Sequence, residues 1–307
     1  MMQWQGRVID AHAHVVRALC GFNGLGEMYP LGQGRVRWAT GEEAVILPDG
    51  KDCWTPEDLI SLMDQNQVER AVLMQGSYLG FCNEYAAQAQ QTYPDRLSAM
   101  GCLDPYAKHA PRILRHLIEE LGMKGIKIEM GADVGLCSYH PEFRINAPCM
   151  APIFSYAQQR DFPIAIDMSP AGQPHLQVEE LADMLERYPD TRVVVEHLFY
   201  PSAGDEEILK RAMERLKRFE NLMFSTAAMP NAVPSDVYPF ATVQGLLKIA
   251  RDIVGAKRLM WGTDVPTTLL HCSYEAQKNY ILEGGVFHNE ELQNIYYGNA
   301  KRFYGLA

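Results

Sequence analysis

The chain has 307 residues, 47% hydrophobic and 21% charged, a balance that can bury a sizeable core without a disulfide or metal staple. Its formal net charge of −10, with no basic run, argues against nucleic acid as the main partner, because nothing is present to release phosphate counterions. A small anionic substrate stays open, since a few local Arg or Lys side chains suffice for one.

Short runs rich in Val, Ile, Leu and Met alternate with longer amphipathic stretches along most of the chain. Strands are predicted at Val8–Ala13, Ala71–Gln75, Leu97–Leu103, Gly125–Glu129, Pro163–Met168, Arg192–His197, Leu222–Thr226 and Arg258–Gly262. Helices are predicted at Pro56–Gln65, Cys82–Tyr93, Ala110–Leu121, Ala151–Arg160, Val178–Tyr188, Glu206–Phe219, Val243–Val254 and Tyr274–Leu282. Thr55-Pro56-Glu57-Asp58 supplies an N-cap, a first-turn proline and early acids, and Asn299 is expected to cap Ala300–Tyr304. Eight β-α units imply parallel strands with right-handed crossovers, hence an α/β chain forming a (β/α)₈ TIM barrel as one domain, 1–307. A doubly wound sheet would alternate too, but no Gly-rich dinucleotide fingerprint follows the first strand. Long inserted loops, 15–54 and Met130–Pro148, follow strands one and four, at the catalytic end of a barrel, and are lid candidates. The first is rich in glycine and carries Phe22, Tyr29, Trp38 and Trp54, an aromatic content that argues against disorder.

The seven cysteines form no C-x-x-C pair and read as small residues of a reducing cytoplasm. Met1–Arg7 runs into a strand without an apolar leader, and no apolar run approaches ~18 residues, so a cytoplasmic globular protein is expected.

In Val8-Ile9-Asp10-Ala11-His12-Ala13-His14, strand alternation points Asp10, His12 and His14 into the barrel and Ile9, Ala11 and Ala13 toward the helices. Two imidazoles about 7 Å apart on one strand face can converge on one ion. Histidine pairs also occur by chance on surfaces, but this one ends the first strand of a barrel pattern. Met260, Gly262 and Asp264 share a face, so Asp264 points inward at the end of strand eight, beside strand one in a closed barrel. There a carboxylate can hold a metal and accept a proton from water; its plainer role would be to cap the turn before Pro266. In Arg192-Val193-Val194-Val195-Glu196-His197, His197 shares parity with Val193 and Val195 and is expected inward as a ligand or acid/base, with Glu196 outward and structural. On strand four, Lys127 and Glu129 point inward, where Lys127 would pair with Glu129 or Asp10 or meet substrate. Arg17 and Arg144, in the inserted loops, could bind a substrate carboxylate bidentately, although surface arginines are common.

The H-x-H pair, the strand-six histidine, the Gly262-Thr263-Asp264-Val265-Pro266 turn and the closing Gly298-Asn299-Ala300 resemble the amidohydrolase superfamily, and within it the amidohydrolase-2 branch of hydrolases, lactonases and aminocarboxymuconate-semialdehyde-type decarboxylases. The resemblance implies one divalent ion, usually zinc; an oxygen ligand at Asp167 would make manganese or magnesium relatively more favoured. It implies His12, His14 and Asp264 as ligands and His197 as the acid/base partner. That branch normally places a histidine ligand on strand five, where this chain has Asp167. Asp167 is read as an oxygen ligand, His175 just beyond it could swing in, or the site could have lost its metal. The expected activity is hydrolysis of an ester, lactone or amide of a small carboxylated substrate. Nonoxidative decarboxylation of a small aromatic or muconate-type acid is the alternative, and a catalytically silent binding barrel is a third reading. The expected partner is a small molecule, with a homodimer as the base-rate assembly.

Overall fold

The computed structural model describes residues 4–306, so the reading of Met1–Arg7 lies partly outside the described residues. Strand β1 (Ile9–Ala13) is followed by four short strands, β2 (Gly21–Asn23), β3 (Gly26–Gly32), β4 (Arg35–Trp38) and β5 (Glu43–Val45). Seven more follow: β6 (Arg70–Met74), β7 (Leu97–Cys102), β8 (Gly125–Glu129), β9 (Ile164–Asp167), β10 (Val193–Val195), β11 (Leu222–Ser225) and β12 (Leu259–Met260). The order β1-β6-β7-β8-β9-β10-β11-β12 is parallel throughout. Backbone bonds carry the ring from β12 back to β1: the Ala11 N–H donates to Trp261 O at 3.1 Å and the Asp264 N–H to His12 O at 2.7 Å. With helices between successive strands, this is the expected (β/α)₈ barrel.

Side chains from both ends of the sheet order meet in one interior cluster that includes Ile9, Ala11, Val72, Met100, Ala165 and Val194. Phe303, Tyr304 and Leu306 join it and seal the floor. The alternate strand residues, among them Val193, Val195, Ile126 and Ile128, pack outward into a second and larger cluster under the helices. Each such buried aliphatic contributes roughly 1.5–3 kcal/mol relative to exposure. Helix Pro56–Gln65 starts on the expected cap, with Thr55 and Asp58 in a reciprocal capping box. Asn299 does not cap. The chain is already helical at Gly298, and the Asn299 amide instead donates to the carbonyls of Ala256 at 2.8 Å and Leu259 at 2.6 Å, tying the last helix to β12.

Residues 15–54 are not a simple loop. Strands β2–β5 form an antiparallel sheet that buries Met28, Val36 and Trp38 on one face. Val16 and Trp54 exchange backbone bonds at 2.8 and 2.7 Å, closing the neck of the insertion. A Cβ at Gly24 would sit 1.1 Å from Ser138 Oγ, so this sheet lies directly on the 130–148 segment. All seven cysteines are free, and no helix among the described residues is long and apolar enough to cross a membrane.

Candidate functional site

The first strand places its histidines by an irregularity that simple alternation misses. Ile9 and Ala11 face the barrel interior, while Asp10 points outward, accepting from the Tyr274 hydroxyl at 2.8 Å and the Thr263 hydroxyl at 2.6 Å. The expected parity of β1 was therefore inverted at these positions. Pairing with β6 then slips by one residue between Asp10 and Ala13. Such a bulge re-aims the side chains beyond it, and His12 and His14 turn inward. Burial pushes the Asp10 carboxyl up to about 6, against hydrogen bonds from Thr263, Tyr274 and the His12 N–H. Asp10 also accepts from the Thr263 N–H at 3.0 Å, bracing the turn that presents Asp264. Gly262 allows that turn to approach, because a Cβ there would lie 2.9 Å from His12 Cβ.

Strand β10 ends two residues before His197. Val194 is interior and Val195 exterior, so His197 would point outward if the strand continued. Instead His197, Leu198, Phe199 and Tyr200 all take left-handed backbone angles, φ between 49° and 66°. Each such residue costs about 1–3 kcal/mol unless its surroundings enforce it. Bonds from the Tyr200 N–H to His197 O and from the Ala171 N–H to Phe199 O, both 2.7 Å, hold the turn. The result corrects the outward assignment of Glu196: its Oε2 lies 2.8 Å from His12 Nδ1, and both side chains are fully buried. Burial raises the Glu196 carboxyl to about 7.

These backbone devices set a donor cluster. Ligand-type atoms of His12, His197 and Asp264 all lie within 4.8 Å of one another. His12 Nε2 is buried with no hydrogen-bond partner among the described residues, and its Nδ1 is engaged by Glu196. His197 Nδ1 donates to Ala227 O at 2.9 Å, leaving Nε2 to face the cluster. Asp264 Oδ1 lies 2.8 Å from His14 Nε2 and 3.4 Å from His12 Nε2. Burial, and after it the charge of Lys127, drives the His12 imidazole well below its ordinary range, which keeps it neutral. Burial opposes ionisation of Asp264, but the three imidazoles hold its carboxyl below the usual range.

Asp167 faces the same space with its Oδ2 2.9 Å from Lys127 Nζ and 3.5 Å from His197 Nε2. Lys127 is also 3.7 Å from Glu129, which accepts from the Ser77 hydroxyl at 2.6 Å and the Tyr78 N–H at 2.8 Å. Lys127 thus pairs with Asp167 and Glu129, and not with Asp10, which lies on the other side of β1. Burial lowers the His197 pKa, but Asp167 and Asp264 outweigh it and bring the group to about 9. A folded-state pKa above the ordinary 6.5 means stability present below 6.5 and lost as pH rises through 9. Chelated, metal-free protein is therefore expected to unfold at lower denaturant at pH 9.5 than at pH 7. A His197→Gln variant should lack that difference, and an equal pH dependence in both proteins would refute the assignment.

The donor cluster opens into a cavity of about 370 Å³ at the carboxyl ends of the strands, lined by His14, Lys127, Asp167, His197 and Asp264 from the predicted set. Tyr78, Asp133 and Tyr200 also line it, and no motif announced them. Arg17, Arg144 and His175 do not line it. Arg17 is exposed, and Arg144 donates to Phe143 O at 2.8 Å and stands 4.0 Å from Glu180. His175 sits at φ 72° in the loop after β9.

Barrel and donor set together place the chain among TIM barrels that gather nitrogen and oxygen donor atoms at their strand ends. It belongs to the amidohydrolase family, whose model (Amidohydro_2) matches residues 9–306. It is 23% identical over 218 residues to an L-fucono-1,5-lactonase of Burkholderia ambifaria, a match covering 70% of this chain and 71% of that one. A crystal structure of an amidohydrolase from Burkholderia multivorans with bound zinc superposes with TM-score 0.70 at 17% identity, covering 98% of this chain and 100% of that one. The 5-carboxyvanillate decarboxylase of Sphingomonas paucimobilis superposes with TM-score 0.57 at 15% identity, covering 81% and 82%. At these identities the structural matches establish the fold alone.

Proposed function

We propose that the chain is a metal-dependent hydrolase that opens an ester or lactone bond of a small molecule. The observation that carries this reading is the buried His12 Nε2, which has no hydrogen-bond partner among the described residues and converges with His197 and Asp264, two residues of the cavity lining. Two imidazoles and a carboxylate suit zinc with a coordination position left open, and manganese tolerates the same set. His12, His197 and Asp264 would hold the ion, with His14 beside them. His197, expected as the acid/base, is here a ligand candidate because its Nδ1 donates to Ala227 O and turns Nε2 toward His12 and Asp264. Asp167 pairs with Lys127 at 2.9 Å and lies 3.5 Å from His197 Nε2, a contact the ion would replace, and we read it as the charge partner of Lys127 rather than as a ligand.

When bound, the ion supplies Lewis acidity to the acyl carbonyl and acidifies a water. Asp264 takes the proton from the attacking water and returns it to the departing alkoxide oxygen, while His14, 2.8 Å from Oδ1, fixes the carboxylate. Glu196 holds the orientation of His12. Glu196→Gln is expected to weaken zinc affinity by about 10–100-fold, as measured by competition with a chromophoric chelator; an unchanged affinity would remove that role. Similarity to a lactonase supports hydrolysis. Decarboxylation of a carboxylated acid fits less well, because Arg17 and Arg144 lie off the cavity.

The test is direct. Purified protein is expected to hold close to one zinc or manganese per chain by elemental analysis and to hydrolyse lactones in a pH-indicator assay. The His12→Ala/His14→Ala double variant should lose both. Metal retained by that variant, no metal in the wild type, or carbon dioxide release from hydroxybenzoates without lactone hydrolysis would each overturn the reading.

A further inference from the structure

We propose that Tyr200 is a catalytic residue of this site, its phenol hydroxyl donating a hydrogen bond to the acyl carbonyl oxygen as that oxygen takes up negative charge. The inference rests on the hydrolytic reading above and adds to it a group that neither the motifs nor the donor cluster supplies.

The backbone carries the first part of the argument. Tyr200 is the last of four consecutive residues with left-handed backbone angles, and none of the four is glycine. The first of them, His197, belongs to the donor cluster. Strain of this kind persists only where the surrounding structure enforces it, and it gathers at functional sites. Here the Tyr200 N–H closes the turn on His197 O at 2.7 Å, and buried Pro201 follows with its φ fixed by its ring. The Tyr200 ring stands edge-on to the His197 imidazole, with centroids 5.8 Å apart and planes at 87°. The phenol is therefore held in a set place beside the cluster.

The second part is the state of the hydroxyl. Tyr200 is half-buried on the cavity wall, and its hydroxyl has no hydrogen-bond partner among the described residues. Two other donors on that wall are engaged: Lys127 lies between Asp167 and Glu129, and His14 bonds Asp264. Tyr78 is a second phenol of the lining. Burial pushes both phenols up; of the charges, Asp264 acts most on Tyr200 and Glu129 most on Tyr78. Tyr200 is thus the phenol beside the proposed general base, where the reacting carbonyl would lie.

When water adds to the carbonyl carbon, the C=O π pair moves onto oxygen, and the Tyr200 hydrogen bond strengthens on that oxygen. It relaxes when the pair returns and the bond to the alkoxide oxygen breaks. The phenol keeps its proton throughout, so Asp264 remains the carrier of the water's proton. A donor already in position needs no reorganisation at the moment of reaction.

The experiment compares zinc-loaded wild type and Tyr200→Phe on γ-butyrolactone and δ-valerolactone, with the cyclic phosphonate of matching ring size as a tetrahedral mimic. Phenylalanine keeps the ring against His197 and removes only the oxygen. kcat is expected to fall by about 10²–10³-fold, the usual loss for one oxyanion donor, with KM, melting temperature and zinc affinity unchanged. Calorimetric titration should show phosphonate binding weakened by at least about tenfold, because the mimic carries the tetrahedral oxygen that the hydroxyl serves. In the wild type, phosphonate binding should perturb the ultraviolet band of a tyrosine, a change absent from Tyr200→Phe. Unchanged kcat, a raised KM at unchanged kcat, weaker zinc binding or equal phosphonate affinity would each overturn the role of Tyr200 and leave hydrolysis standing. Failure of the wild type on both lactones would overturn the hydrolytic reading and this inference with it.

Discussion

Asp264→Asn is expected to lower kcat/KM by roughly 10²–10⁴-fold, the range for loss of a positioned general base, with the fold intact. Asparagine keeps the shape of the side chain and tolerates the left-handed backbone at this position, φ 65°, as well as aspartate does. What it removes is the negative charge that His14 and His12 face at 2.8 and 3.4 Å, together with the ability to take a proton from water. Steady-state kinetics at saturating metal, with a thermal melt as the fold control, check the prediction. A loss under tenfold, in protein that still binds metal, would show that another group moves the proton.

The largest stability effect is expected at Lys127. Its ammonium is 2% exposed and faces Asp167 at 2.9 Å and Glu129 at 3.7 Å, whose side chains are 20% and 11% exposed. Burial alone would lower its pKa, but these carboxylates and Asp264 outweigh it and raise the value, so Lys127 is charged at any working pH. Lys127→Met keeps the volume and removes the charge, leaving buried carboxylates without compensation. Removing one partner of a buried ion pair costs about 3–5 kcal/mol, which a denaturant titration at pH 7 will read as a lower midpoint at unchanged slope. Adding Asp167→Asn should restore part of that loss, because the two positions share one interaction. If the double variant were less stable than the single by the full independent effect of Asp167→Asn, the pairing would carry no weight.

Much of this architecture was legible in the residues. All eight barrel strands fall within two positions of the expected boundaries at their first residue, because buried parallel strands read as short Val/Ile/Leu runs between amphipathic helices. His12 and His14 come to lie beside Asp264, since closure makes the first and last strands neighbours. Where alternation failed, the cause was a local backbone event that side-chain periodicity does not encode. The one-residue slip in β1 reverses the parity of Asp10 relative to His12. The left-handed turn after Val195 lets Glu196 and His197 both face inward although they are adjacent. Glu196 was thus expected to face outward, whereas it lies inside against His12 Nδ1. The sheet of residues 21–45 had a readable signal, with Met28, Val36 and Trp38 at alternating positions between turn glycines. Tyr78, Asp133 and Tyr200 had none, because loop residues that line a wall obey no period.

The cluster at the base of the cavity joins side chains 250 positions apart along the chain, His14 and Asp264. Loop closure on that scale is among the last and most entropically demanding contacts a chain can form. An ion held there, as proposed above, would be gripped from both ends of the sequence and could not template early collapse, because its donors are not yet assembled. It would act as a clasp on the finished ring, slowing the ring's opening and leaving the speed of its formation almost untouched.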